Sequence, residues 1–182
     1  MRFYFLSCLF IIGFNYQSSA QTSATASQST VLSLSNAIAI TFVTTGTNAG
    51  TAISLPFATV TDYTNGVTST AQQLKVQSNK IFNLTINTTS ANFTYSGTTT
   101  PTPVMPVSGV LAAQITANAT GGTIATAFNG AYASLTSSAQ ALISTCSNGG
   151  NQTFSIQYKT TPGFAYPAGT YTASVLFTAT QP

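Results

Sequence analysis

Hydrophobic residues recur at every second position in several short runs of this chain. In VLSLSNAIAITFV, Leu32, Leu34, Ile38, Ile40 and Phe42 fall on one side and Ser33, Ser35, Ala37, Ala39 and Thr41 on the other. A period of two is the mark of a half-buried strand. QLKVQS places Leu74 and Val76 on one face, and KIFNLTINTT sets Phe82, Leu84 and Ile86 against Asn83, Thr85 and Asn87. The alternation returns at Phe93 and Tyr95, at Leu111, Ala113, Ile115 and Ala117, and at Phe154, Ile156 and Tyr158. The last run follows Pro167-Ala168-Gly169 and presents Tyr171, Ala173, Val175, Phe177 and Ala179 to one face.

Turn residues separate these runs. Asn65-Gly66 predicts a hairpin, because both positions tolerate positive φ. TTTPTPVMP reads as a connection unsuited to a central strand. SLTSSAQALIST alone leans towards helix: Ser137 and Gln140 have the spacing of a weak capping box, which fits a single turn as well as a longer helix. Seven to nine short strands with regular breaks predict an all-β protein, an antiparallel two-sheet β-sandwich.

Composition sharpens this picture. Residues 1–20 hold one cation, an apolar run and small residues at Ser18 and Ala20, the layout of a signal peptide cleaved after Ala20. The run is shorter than the roughly 20 apolar residues of a membrane span. Phe5-Leu6-Ser7 before Cys8 is a poor match to a lipoprotein signal. The expected organisation is a signal peptide at 1–20, a polar arm at 21–30 and one β-sandwich domain at 31–182. Beyond residue 20, Lys75, Lys80, Lys159 and Asp62 are the only charged residues and Cys146 the only cysteine, so packing rather than an internal disulfide must hold the fold.

The scarcity of titratable groups narrows function. The chain has no His and only one acid. Paired-carboxylate catalysis, His-dependent triads and the usual zinc and calcium sites therefore lack their residues. No enzyme activity, cofactor or metal is expected, and the few cations make no nucleic-acid patch. An outer-membrane barrel would require longer strands, and an ice-binding array would require a repeat. Asp62 either accepts turn amides or promotes an isopeptide bond between an Asn and one of the three Lys. Cys146 is either a small core residue or an exposed thiol. Asn83, Asn87, Asn92, Asn118 and Asn151 begin glycosylation-type triplets, near the frequency this Ser/Thr content produces by chance. Phe164, Tyr166 and Tyr171 either line a sugar site or cover a sandwich end.

AGTYTASVLFTATQP resembles the closing strand of bacterial chaperone–usher pilins, in which a glycine at the fourteenth position from the C-terminus precedes alternating apolar residues. Gly169 stands at that position. The chain departs from the pattern at Gln181, where those pilins carry Tyr, and in lacking their paired cysteines. The same strand, with DYTNGVTSTAQQLKVQSNKIFNLTI, is similar to spore coat protein U-like domains and to WxL surface domains, although no Trp is present to make the WxL motif. The resemblance implies an incomplete Ig-like sandwich filled by a strand of a neighbouring subunit. Leu32, Leu34, Ile38 and Ile40 would then be donor residues, and Gly169, Tyr171, Ala173, Val175 and Phe177 would flank the acceptor groove. Implied partners are further copies or related surface subunits, with an export chaperone, at the cell surface or secreted. The alternative expectation is a monomeric adhesin or carbohydrate-binding module with its ligand at the sandwich loops.

Overall fold

The computed structural model describes residues 24–44, 50 and 52–182, so the expected signal peptide lies outside the described residues. The chain divides into two units, 1–34 and 35–182. In the first, residues 24–34 carry no helix or strand, and Val31, Leu32 and Leu34 are 85, 80 and 81% exposed.

Nearly all the regular structure described in the second unit is antiparallel strand. In chain order they are β1 (Ile38–Phe42), β2 (Val67–Thr68), β3 (Gln72–Ser78), β4 (Phe82–Thr88), β5 (Thr94–Ser96) and β6 (Leu111–Asn118). There follow β7 (Thr123–Ile124), β8 (Ala133–Ser134), β9 (Gln140–Cys146), β10 (Gly149–Thr160), β11 (Thr170–Thr172) and β12 (Val175–Thr180). One short helix, α1 (Val60–Asn65), precedes β2, and a 3-10 turn spans Thr126–Phe128. No helix among the described residues is long and apolar enough to cross a membrane.

The first sheet runs β1-β3-β10-β6-β8, with β2 also paired to β10, and the second runs β12-β4-β9-β7. The twelve-residue β10 is central, bonded to β3 on one side and β6 on the other. The paired β5 and β11 continue β4 and β12 beyond an interruption, where the Thr89 amide donates to the Ser174 carbonyl at 3.0 Å. Alternation drives the packing: Leu74 and Val76, Phe82, Leu84 and Ile86, and Phe154 and Ile156 are all buried between the sheets. Each such side chain contributes about 1.5–3 kcal/mol by leaving water.

Three expectations are corrected. Asn65-Gly66 does not turn a hairpin; it ends α1, with Gly66 at φ 78° and its amide donating to the Asp62 carbonyl at 2.8 Å. The cause is a capping box, in which the Asp62 amide donates to Thr59 Oγ1 and Asp62 Oδ2 accepts from the Thr59 amide, so the chain enters a helical turn before the glycine. The helix-leaning stretch holds no helix: Ser134 ends β8 and Gln140 opens β9, with the Gln140 side chain turned back to accept from the Thr136 amide and to donate to the Ser134 carbonyl. The strand expected from Val31 is confined to Ile38–Phe42.

Candidate functional site

The two sheets are closed unequally along their two flanks. On one flank the two-residue strands β7 and β8 stand beside the 3-10 turn; Ile124 and Ala133 there are partly buried, and Phe128 and Leu135 close the interior with 1% and 0% exposure. On the other, β1 is the edge of the first sheet and β12 the edge of the second. Here the inward side chains are partly buried, none of them as fully as the core residues. Ile40 and Phe42 of β1 are half-buried, and so are Val175, Phe177 and Ala179 of β12 together with Ala173 before it. Ile38 is 38% exposed.

Two contacts tie these edges together. The Phe42 and Phe177 rings meet edge to face with centroids 6.2 Å apart, and Phe177 also leans on Phe154 at 6.0 Å. At the far end, the Gln181 side-chain amide lies within donating distance of the Ala37 carbonyl (3.0 Å), Ser78 Oγ (2.9 Å) and Asn79 Oδ1 (3.2 Å). Asn79 completes this clasp by accepting from the Ala37 amide and donating to the Ser35 carbonyl.

The strand order explains why the flank is open. An Ig constant-type sandwich places its strands A, B, E and D in one sheet and C, F and G in the other. With β1, β3, β4, β6, β10 and β12 taken as A to F, the first sheet reads A-B-E-D and the second has F beside C, while β9 and β7 on the other side of β4 have no counterpart in that scheme. The seventh place, on the far side of β12, is held by no strand among the described residues. Backbone amides and carbonyls at such an edge are a template for another strand.

The expected exchange residues distribute in three groups. Ala173, Val175 and Phe177 do line the open flank. Ile38 and Ile40 pair with Ser78 and Val76 inside the chain's own sheet, so as placed they belong to the flank rather than to a donor. Leu32 and Leu34 lie in the separate exposed segment. Gly169 and Tyr171 sit elsewhere, at a loop end crowded with aromatic rings. A Cβ at Gly169 would collide with the Tyr95 ring, which explains the glycine there. Tyr171 packs on Tyr95 at 5.0 Å and Tyr166 at 6.4 Å. Its phenol is pushed up first by burial and then by the neighbouring Tyr95, Tyr166 and Tyr63 phenols.

The remaining chemical candidates resolve simply. Asp62 Oδ2 accepts from the Ala58 and Thr59 amides at 2.9 and 2.7 Å, so it caps α1. The Thr59 amide, then the Thr59 hydroxyl and the Ala58 amide, hold its carboxyl below the usual range. Cys146 is fully buried, and burial pushes its thiol up. Met105, inside the Pro-rich connection, and Val107, just after it, are core residues that the alternation did not single out. No family model matches this chain, and no curated protein matches it; the class defined by the fold is an antiparallel β-sandwich with Ig-type strand order.

Proposed function

We propose that this protein is a non-enzymatic, exported surface subunit of a pilus- or coat-like assembly that joins copies of itself or related subunits by β-strand exchange. The observation carrying this reading is the unpaired edge of β12 and the partly buried apolar side chains between β1 and β12, where no side chain is buried as fully as Phe128 and Leu135 are at the β7 and β8 flank. A strand added beside β12 would pair its free edge and bring alternate side chains over Val175, Phe177 and Ala179, which is how strand addition obtains both affinity and specificity. The segment around Val31–Leu34 is suited to donate. It carries apolar side chains at period two, and Leu32 and Leu34 are more than three-quarters exposed. Their spacing along an extended chain, about 6.6 Å, equals that of alternate residues on β12. Such a contact is head-to-tail and does not close on itself, so it extends into a filament.

A synthetic peptide of Ser27–Asn36 tests the reading. Added in excess, it should raise the melting temperature and slow hydrogen exchange at the β12 amides. An unchanged melting temperature with unchanged β12 exchange would refute it.

A further inference from the structure

The loop end that holds Gly169 and Tyr171 has features that strand exchange does not use. Three separate stretches of chain, 57–63, Tyr95 and 164–171, bring rings together there. Phe57 packs on Tyr63 at 5.3 Å, and Tyr63 stacks on Phe164 at 5.4 Å with an interplanar angle of 22°. Tyr166, Tyr171 and Tyr95 form the second bank of rings. Between the banks is a cleft of about 80 Å³, walled by Phe57, Tyr63, Tyr166, Pro167 and Tyr171.

These rings do not behave as an ordinary core. Phe164 follows Gly163 of the cleft wall and lies beside the cleft rather than in it; it is 67% exposed and stacks on Tyr63 with its other face to water. Two of the phenols are committed: Tyr171 donates to the Pro167 carbonyl at 2.9 Å, and Tyr95 donates to the Ala168 carbonyl at 3.2 Å while accepting from the Thr99 amide. The Tyr63 and Tyr166 hydroxyls have no hydrogen-bond partner among the described residues. Charge is absent from the lining, and the nearby Asp62 carboxylate is turned to the Ala58 and Thr59 amides.

We propose that this aromatic cleft binds the end of a neutral saccharide, with one pyranose face on Phe164 and ring hydroxyls on Tyr63 and Tyr166. An aromatic face is electron-rich and attracts the weakly positive C–H groups that a pyranose presents on one side. Free phenols beside it supply the few convergent polar groups that orient a ligand in a mostly apolar site. The lack of charge selects against anionic sugars and acidic peptides. The cleft is far smaller than the roughly 300 Å³ of an enclosing ligand pocket, so it seats one ring substituent while the ring lies on Phe164 beside it. This site stands independently of strand exchange.

The test uses the purified protein on a panel of neutral hexose and N-acetylhexosamine oligosaccharides, with hits titrated by tyrosine fluorescence, which no Trp obscures. Saturable binding is expected, weakened about tenfold by Phe164→Ala, the scale of one lost aromatic contact. Tyr166→Phe, which removes only a hydroxyl, should weaken binding about threefold, the low end of one hydrogen bond. Both variants should melt with the parent. Failure of every oligosaccharide to bind, affinity unchanged by Phe164→Ala, or binding of decaproline at these rings without any saccharide would each overturn the proposal.

Discussion

Phe42 and Phe177 meet edge to face, 6.2 Å between centroids and 83° between planes, and they join the edge strands of the two different sheets. Each ring is only half-buried, so the contact bridges the flank without sealing it. Phe177→Ala should therefore cost less than a core deletion such as Phe82→Ala, where the ring is fully buried. About 1.5–2.5 kcal/mol is expected for the first and about 3–5 for the second. Urea unfolding of both variants compares them directly.

Gln181 binds the end of the closing strand to the start of β1 through Ala37, Ser78 and Asn79. Its two side-chain protons are shared among three acceptors, each of which keeps another partner when the amide is removed. Gln181→Ala should cost about 1 kcal/mol, as for one hydrogen-bonded group. Hydrogen exchange should quicken at Ala37 and Ile38 more than in β6.

Asp62 gives the fold an acid-side dependence. Its folded pKa is depressed, so its stabilising effect is present above the unfolded value of about 3.9 and is lost as pH falls through the lower folded value. Asp62→Ala should be less stable at neutral pH and should flatten the melting-temperature profile below about pH 4. Calorimetry across pH 2–7 reads both effects.

Tyr158 supplies the opposite limb. Its ring is 6% exposed, and burial pushes the phenol far above its ordinary value. A raised folded pKa means that stability is intact below the unfolded value of about 10 and declines as pH rises beyond it. Tyr158→Phe should keep more of its stability between pH 10 and 12 than the parent, as followed by circular dichroism.

How much of this was legible in the sequence depended on range. Leu74, Val76, Phe82, Leu84, Ile86, Phe154 and Ile156 announced their buried faces because side-chain direction alternates along a strand whatever its partners are. The helix at Val60–Asn65 was missed because Thr59 and Asp62 cap through side chains that could equally serve a turn, and Asn65-Gly66 suits either ending. Met105 and Val107 had no period to reveal them, since a bridge between Asn92 and Pro106 fixes that connection. The open flank follows from pairings between residues far apart, such as Leu84 with both Ala179 and Ile143, which local pattern does not encode. The closing alternation placed Val175 and Phe177 on one inward face of the last strand. It could not separate Tyr171, which a break at Ala173–Ser174 turns to the aromatic loop end.

Under the proposed function, the flank between β1 and β12 receives a strand from another copy. Light scattering after size exclusion, over a hundredfold range of concentration, tests this on the intact protein and on Leu32→Asp/Leu34→Asp. Oligomers that grow with concentration are expected in the parent and a folded monomer in the variant, whose two altered side chains are exposed. A parent that stays monomeric throughout, or a variant that assembles equally well, would contradict it.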